Sequence, residues 1–271
     1  MRMNIKDFSL DKTLSAGQTF SWFKSDDKWV RLVGHPIAVT QTDSSTLGIE
    51  GASEQEVRRL LGLNDDIERI NNEIDKDDFI SEAIKKSAGL RVVEDGIWPS
   101  TLSFVLSIQS NINLIKKRIQ TLSRIYGERI EVHGKEMYTF PGPKDISNRP
   151  GLLSEAKLGF RSKFVLAAAK HFSEANMDSK MGEEEIVKHL LSIHGIGPKV
   201  LDCVMLYGLH KLSYFPIDVW IERALKEKYS NIIGGLKSYK KINEKMREYF
   251  GEFAGYAQLY IYDSFRRKPT S

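Results

Sequence analysis

The sequence predicts an α+β chain, mostly helical, with a small N-terminal antiparallel β region over residues 1–85 and a helical body over 86–271. Three observations carry this reading. The stretch "WFKSDDKWVRLVGHPIAVTQTDSSTLGIEG" alternates apolar and polar residues between turn formers, the pattern of a short meander. From about Asp75 onward the apolar residues recur at three-four spacing. No alternation of strand and helix patterns runs through the chain, so a parallel sheet is not expected.

Taken in order, "KWVRLV", "IAVTQT" and "TLGIE" read as strands, the first two separated by a "GHP" turn. "SEQEVRRLLGL" opens with Ser53 and has Glu56 three residues on, the arrangement of a helix N-terminus. "FISEAIKKSAGL" is helical. In "TLSFVLSIQSNINLIKKRIQTLSRIYG" the residues Val105, Ile108, Ile112, Ile115, Ile119 and Leu122 form an apolar stripe, and Asn111 is placed to cap a second helix within it. "EAKLGFRSKFVLAAAKHF" and "GEEEIVKHLLSI" predict two further helices. The tail "KKINEKMREYFGEFAGYAQLYIYDSFRRK" predicts two more, with Gly251 and Gly255 between and within them.

The chain has 271 residues, 41% apolar and 28% charged, with a formal net charge of +4. That is a globular composition with a mild basic bias, compatible with a polyanionic partner. The single cysteine excludes an internal disulfide and a cysteine-rich metal site. No segment suits a signal peptide or a membrane span, so the expectation is a monomer in the cytoplasm, or in the nucleus of a cell that has one.

The chemistry concentrates in "LLSIHGIGPKVLDC", Leu190–Cys203, and in "FPIDVW". The first reads as helix, Gly-x-Gly turn, helix, a hairpin over about 186–208. Gly195 and Gly197 permit close backbone approach, and the N–H groups at the start of the following helix suit a phosphate. A plain helical-hairpin turn would use the same residues. Lys199 lies in the first turn of that helix, where the dipole disfavours an ammonium, and Cys203 is four residues on, on the same face. An uncharged lysine amine is a nucleophile able to form a Schiff base with a sugar aldehyde. Asp218, nineteen residues after Lys199, follows an apolar stretch and is placed to cap a helix. A carboxylate beside the same cavity would also stabilise a positively charged sugar.

The wording "GIGPKVLDC…PIDVW" resembles the helix-hairpin-helix (HhH-GPD) DNA glycosylases, and with its lysine it is most similar to their 8-oxoguanine branch. The resemblance extends from Ser15 to Arg267. It implies a bifunctional glycosylase/AP lyase of base excision repair, acting on duplex DNA with Lys199 as nucleophile and Asp218 as the assisting carboxylate. By the same resemblance, Gly17 in "SAGQTFSW" would present its carbonyl to the N7 hydrogen that 8-oxoguanine has and guanine lacks. A buried polar mismatch of that kind costs about 1–3 kcal/mol. In "FAGYAQLYIYDSFRR", Gln258 would bond the Watson–Crick edge of the everted base and Tyr262 would stack on one face, with Cys203 against the other; this last helix would close the base pocket. Tyr262 stands where the family more usually has Phe. In "LGFRSKFVLAAA", Phe160 would wedge into the duplex and Arg161 would contact the base left behind. The carbonyls of Leu191, Ile193 and Ile196 would share a K⁺ or Na⁺ at the hairpin, and no other cofactor is implied.

The chain departs from the branch at two places. In "LSFVLSIQSNINLIKK" Gln109 takes the first position of an asparagine cluster, Asn111 is kept, and Leu114 stands where an arginine would read the orphaned cytosine. A leucine cannot fork onto cytosine, so relaxed opposite-base specificity is expected. Trp220 replaces a common histidine. The competing readings are a glycosylase of the same fold acting on alkylated or other lesions, and a non-catalytic hairpin module that only binds DNA.

Overall fold

A computed structural model of the chain describes residues 1–175, 177 and 181–266. The last residue of the resemblance, Arg267, lies outside them. Strands β1 (Arg2–Asn4), β2 (Trp22–Ser25), β3 (Lys28–Arg31), β4 (Ile37–Asp43) and β5 (Thr46–Glu50) form one antiparallel sheet in the order β1-β5-β4-β3-β2. The register pairs Trp29 with Val39 and Val39 with Ile49, so all three point to one face, where they are buried. That is the period-two pattern acting as expected. Helix α1 (Leu10–Ser15), capped by Ser9, bridges the first two strands.

The helical part begins with α2 (Glu54–Leu60), α3 (Ile67–Ile74) and α4 (Asp78–Lys86), whose first N–H groups are taken by the side chains of Ser53, Asp66 and Asp77. Then come α5 (Ile97–Leu106), α6 (Ile112–Tyr126), α7 (Pro143–Asn148), α8 (Arg161–Glu174) and α9 (Glu183–Ser192). The chain continues with α10 (Pro198–Cys203), which runs into a π-helical turn at Val204–Gly208, then α11 (Val219–Lys228), α12 (Ser230–Ile233), α13 (Tyr239–Phe250) and α14 (Ala254–Arg266). α5 is buried at almost every position because α8, α10 and the π-helical turn all pack on it. α14 closes over α3, α4 and α11. One apolar core runs from the sheet through these helices.

Two sequence expectations need correction. The body is not all-helical: β6 (Arg129–Val132) and β7 (Lys135–Tyr138) form a hairpin joined by His133 and Gly134, both at positive φ. Its strands are four residues each, too short for the alternation to register. Ile130, Val132 and Met137 cover the outer face of the large sheet at Val30, Leu32 and Ala38, and this packing sustains the hairpin. The helix expected from Glu155 starts only at Arg161. Lys157 and Gly159 take φ of 49° and 61°, left-handed values that no α-helix accommodates.

Candidate active site

A cleft of about 950 Å³ opens between α5, α6, α10, α14 and the loop after α1. It is lined by Gly17, Gln109, Asn111, Gly195, Gly197, Lys199, Cys203, Asp218, Gln258 and Tyr262. These residues lie up to 245 positions apart in sequence, and the fold brings them to one space. Phe160 and Arg161 are not among the lining residues.

Lys199 enters from the first turn of α10. Its Nζ donates to Ser107 Oγ at 3.0 Å and lies 5.4 Å from the centre of the Phe104 ring. Ser107 in turn donates to the Phe104 carbonyl at 2.7 Å, so its hydroxyl presents an acceptor to the amine. The lysine is thus held by α5, at the side of the cleft. Cys203, one turn along α10, is buried, and that burial pushes its thiol up to about 12, with the Lys199 charge opposing. It is a neutral wall, not a second nucleophile.

Asp218 caps α11, accepting from the Ile221 N–H at 2.9 Å, as expected. Burial raises its carboxyl above the usual range, against the Ile221 N–H and the Lys199 charge, which favour the carboxylate. The segment that carries it is fixed from below. Asn243 Nδ2 donates to Phe215 O at 2.7 Å and to Asp202 Oδ2 at 2.8 Å. The Tyr239 hydroxyl donates to the same Asp202 oxygen and accepts from the Ile217 N–H. Asp202 therefore ties the helix of Lys199 to the segment that leads to Asp218. Burial pushes Asp202 up to about 7, against its Tyr239 and Asn243 bonds. A carboxyl raised in the folded state contributes stability fully present below its unfolded value, near 3.8, and lost as pH rises through about 7. The melting temperature of Asp202→Asn relative to the parent is accordingly expected to climb between about pH 4 and pH 7 and then level off; a flat difference across that range would contradict this assignment.

The other walls of the cleft are equally specified. Gly17 has φ of +85°, and a Cβ there would lie 2.8 Å from Ile112 Cδ1, so only glycine suits this approach. Its neighbour Gln18 is buried and anchors the loop with three main-chain bonds, to Thr13 O, Arg91 O and the Val93 N–H. Just beyond it, Thr19 and Ser21 both bond Asp95. Across the cleft the Tyr207 hydroxyl donates to Gln258 Oε1 at 2.7 Å. A buried phenol is costly without an acceptor, and this bond fixes the oxygen side of the amide. Tyr262 is four residues from Gln258 on α14, and burial pushes its hydroxyl up to about 12.

The loop between α5 and α6 carries Gln109 at φ of 48°. That left-handed backbone is held by two arginines. Arg161 is 7% exposed and donates to Ile108 O at 2.8 Å and Gln109 O at 2.7 Å. Arg118 donates to Leu106 O and Ser110 Oγ. Arg161 also lies under the ring of Phe160, 4.3 Å from its centre, while Phe160 stands 44% exposed beside the loop. In the free protein Arg161 therefore braces the Gln109 loop. Asn111 caps α6 through Leu114 N–H, and Leu114 is exposed.

At the hairpin, Gly195 takes φ of +99° because Phe164 packs where a Cβ would be. No side chain caps the start of α10 at Gly197, which leaves its N–H groups available to an anion. The Ile193 carbonyl accepts from the Ile196 N–H at 3.0 Å and keeps a second lone pair. A carbonyl oxygen with a spare lone pair, here and at Leu191 and Ile196, is the type of donor that a K⁺ or Na⁺ takes.

Ser107, Tyr207, Gln18, Arg118 and the Asp202–Tyr239–Asn243 cluster were not singled out by sequence reasoning. Asp202 alone left a usable sign, a charge inside the apolar run "KVLDCVML".

An uncapped hairpin, a lysine and a carboxylate around a cleft of this size define the class: the fold is that of the helix-hairpin-helix DNA glycosylases. Residues 1–100 match the family described as 8-oxoguanine DNA glycosylase, N-terminal domain. MBOgg1, solved in complex with a low-affinity DNA ligand, is 30% identical with a TM-score of 0.87, over 97% of this chain and 93% of that one. The Clostridium acetobutylicum 8-oxoguanine glycosylase/lyase, solved with DNA containing cytosine opposite 8-oxoguanine, is 26% identical with a TM-score of 0.86, over 98% and 97% of the two chains. A probable N-glycosylase/DNA lyase of Methanothermobacter thermautotrophicus is 25% identical over 98% of this chain and 96% of its own. The chain belongs to the 8-oxoguanine DNA glycosylase family.

Proposed function

We propose that this chain is a bifunctional DNA glycosylase and AP lyase that excises 8-oxoguanine from duplex DNA. The observation that carries it is the convergence of Lys199 and Asp218 on one cleft whose other walls are Gly17, Cys203, Gln258 and Tyr262. The damaged nucleotide swings out of the stack into this cleft. The Gly17 carbonyl accepts the N7 hydrogen, Gln258 bonds the Watson–Crick edge, and the base lies between Tyr262 and Cys203. The Lys199 amine attacks C1′ while Asp218 stabilises the cationic sugar, and the base departs with its bonding electrons and takes up a proton. The resulting Schiff base allows β-elimination of the 3′ phosphate, and hydrolysis frees the lysine. Main-chain N–H groups after Gly197 hold the DNA backbone. The carbonyls of Leu191, Ile193 and Ile196 are the groups that would bind K⁺ or Na⁺, which would add positive charge next to that backbone; no other cofactor enters. Phe160 fills the gap in the duplex, with Gln109 and Asn111 on the side of the orphaned base and Arg161 bracing their loop. The protein acts as a monomer, and among the described residues no helix is long and apolar enough to cross a membrane.

Leu114 gives the orphaned base no fork of donors, so discrimination among opposite bases is weak. The test is excision from duplexes carrying 8-oxoguanine opposite each of the four bases, beside undamaged guanine and an alkylated base. Release of 8-oxoguanine with strand cleavage is expected opposite all four, with rates within about tenfold, since one lost bidentate contact is worth about 1–3 kcal/mol. Strict dependence on cytosine would overturn the relaxed specificity. Release of the alkylated base alone, or of no base at all, would overturn the function.

A further inference from the structure

Three tyrosines line the base cleft, and two of their hydroxyls are spoken for. Tyr207 donates to Gln258 Oε1 at 2.7 Å, and Tyr239 donates to Asp202. The Tyr262 hydroxyl makes no hydrogen bond among the described residues. Its place is specific. A Cβ at Gly17 would lie 3.6 Å from Tyr262 Oη, so the hydroxyl reaches from α14 to the Gly17 wall. The side chains beside it there, Ala16 and Ile112, are apolar and give it nothing to bond. Stacking does not account for the oxygen, because a ring without it stacks as well. A hydroxyl in an apolar corner costs free energy unless a ligand supplies its partner.

8-Oxoguanine differs from guanine at two adjacent ring atoms: N7 carries a hydrogen and C8 carries an oxygen. Where a main-chain carbonyl accepts from N7–H, O8 is the acceptor next to that contact. The oxygen also takes part in the reaction. As the base–sugar bond breaks, its electron pair passes to N9, which is bonded to C8, and negative charge spreads onto O8. A donor at O8 is therefore bonded more strongly in the transition state than in the bound substrate.

We propose that the Tyr262 hydroxyl donates to O8 of the everted base, which makes Tyr262 a second reader of the lesion beside Gly17. The contact rests on the reading of the cleft as an 8-oxoguanine site and adds to it a direct check for the oxygen. Guanine presents only C8–H at this place and leaves the hydroxyl desolvated without a partner. Gly17 and Tyr262 thus examine the two changes separately, one as an acceptor and one as a donor.

The test is single-turnover excision, with enzyme in saturating excess, by the parent and by Tyr262→Phe from duplexes carrying 8-oxoguanine or 8-thioxoguanine. The sulfur analogue keeps the N7 hydrogen but puts a weak acceptor in place of O8. The substitution keeps the ring and removes only the hydroxyl. The ratio of the 8-oxoguanine rate to the 8-thioxoguanine rate is expected to be about tenfold lower in Tyr262→Phe than in the parent, the size of one hydrogen bond. Any fall in the amount of folded enzyme, or any change in stacking, acts on both lesions and cancels in this ratio. An unchanged ratio, with equal losses or none, would overturn the contact alone, because a hydroxyl bonded to O6 or to no part of the base does not distinguish the two lesions. Failure of the parent to release 8-oxoguanine would overturn the reading of the cleft, and this contact with it.

Discussion

Lys199→Gln is expected to lose strand cleavage and borohydride trapping on an 8-oxoguanine duplex. No covalent adduct should form, and base release should fall on the order of a thousandfold or more, as for removal of a nucleophile. Glutamine is one bond shorter and uncharged but keeps most of the stem that packs beside Phe104, so the fold and the affinity for an abasic duplex should be nearly unchanged. The geometry gives the reason for so large an effect. The amine is already located by its 3.0 Å bond to Ser107 and by the Phe104 ring, at the end of the buried helix α5. A nucleophile held in this way has surrendered much of its rotamer freedom before the substrate arrives. Gel analysis after borohydride reduction checks it. An adduct that persists in the variant would assign the Schiff base to another amine.

Asp218→Asn is expected to reduce excision by about 10²–10³-fold, the size of one electrostatic contact to a developing charge. Binding should be retained. Asp218 also caps α11, and capping alone could explain a loss of activity through unfolding. Asparagine separates the two roles, because it caps helices as well as aspartate does but carries no charge. The variant should therefore melt close to the parent while excision collapses. Equal losses of stability and excision would leave Asp218 as a cap only. The raised carboxyl of Asp218 adds a pH signature. Its ionised form is present above that raised value and is lost as pH falls through it, so excision should decline on the acid side at a pH above the ordinary aspartate range of about 3.9. This acid limb should be missing from the residual activity of Asp218→Asn.

The parts of this molecule that were legible in the sequence are those that local chemistry fixes. Asn111, Ser53 and Asp218 cap the helices their positions implied, because a side-chain oxygen three residues before an N–H needs no tertiary partner. The alternation of β3 to β5 and the stripe of α6 exposed the faces that would be buried. The β6–β7 hairpin was not legible, since its few apolar side chains acquire a meaning only against Val30, Leu32 and Ala38. The late start of α8 was hidden for a related reason: helix propensity in "EAKL" was overridden by the left-handed backbone of Lys157 and Gly159.

The site divides along the same line. By itself the sequence put forward Lys199 and Asp218 as the proposed reacting groups, from residue type and position at helix starts, and the family resemblance added Gly17, Cys203, Gln258 and Tyr262 as the expected walls. Only the tertiary structure decided what holds those groups: Ser107 under the lysine, Tyr207 behind Gln258, Asp202 and Asn243 beneath Asp218, Arg161 turned inward onto the Gln109 loop. These contacts join residues far apart in the chain, and a hydrogen bond between distant side chains leaves no periodicity in the sequence. It exists because packing of the core brings the two elements together, and burial then makes an unpartnered polar group costly.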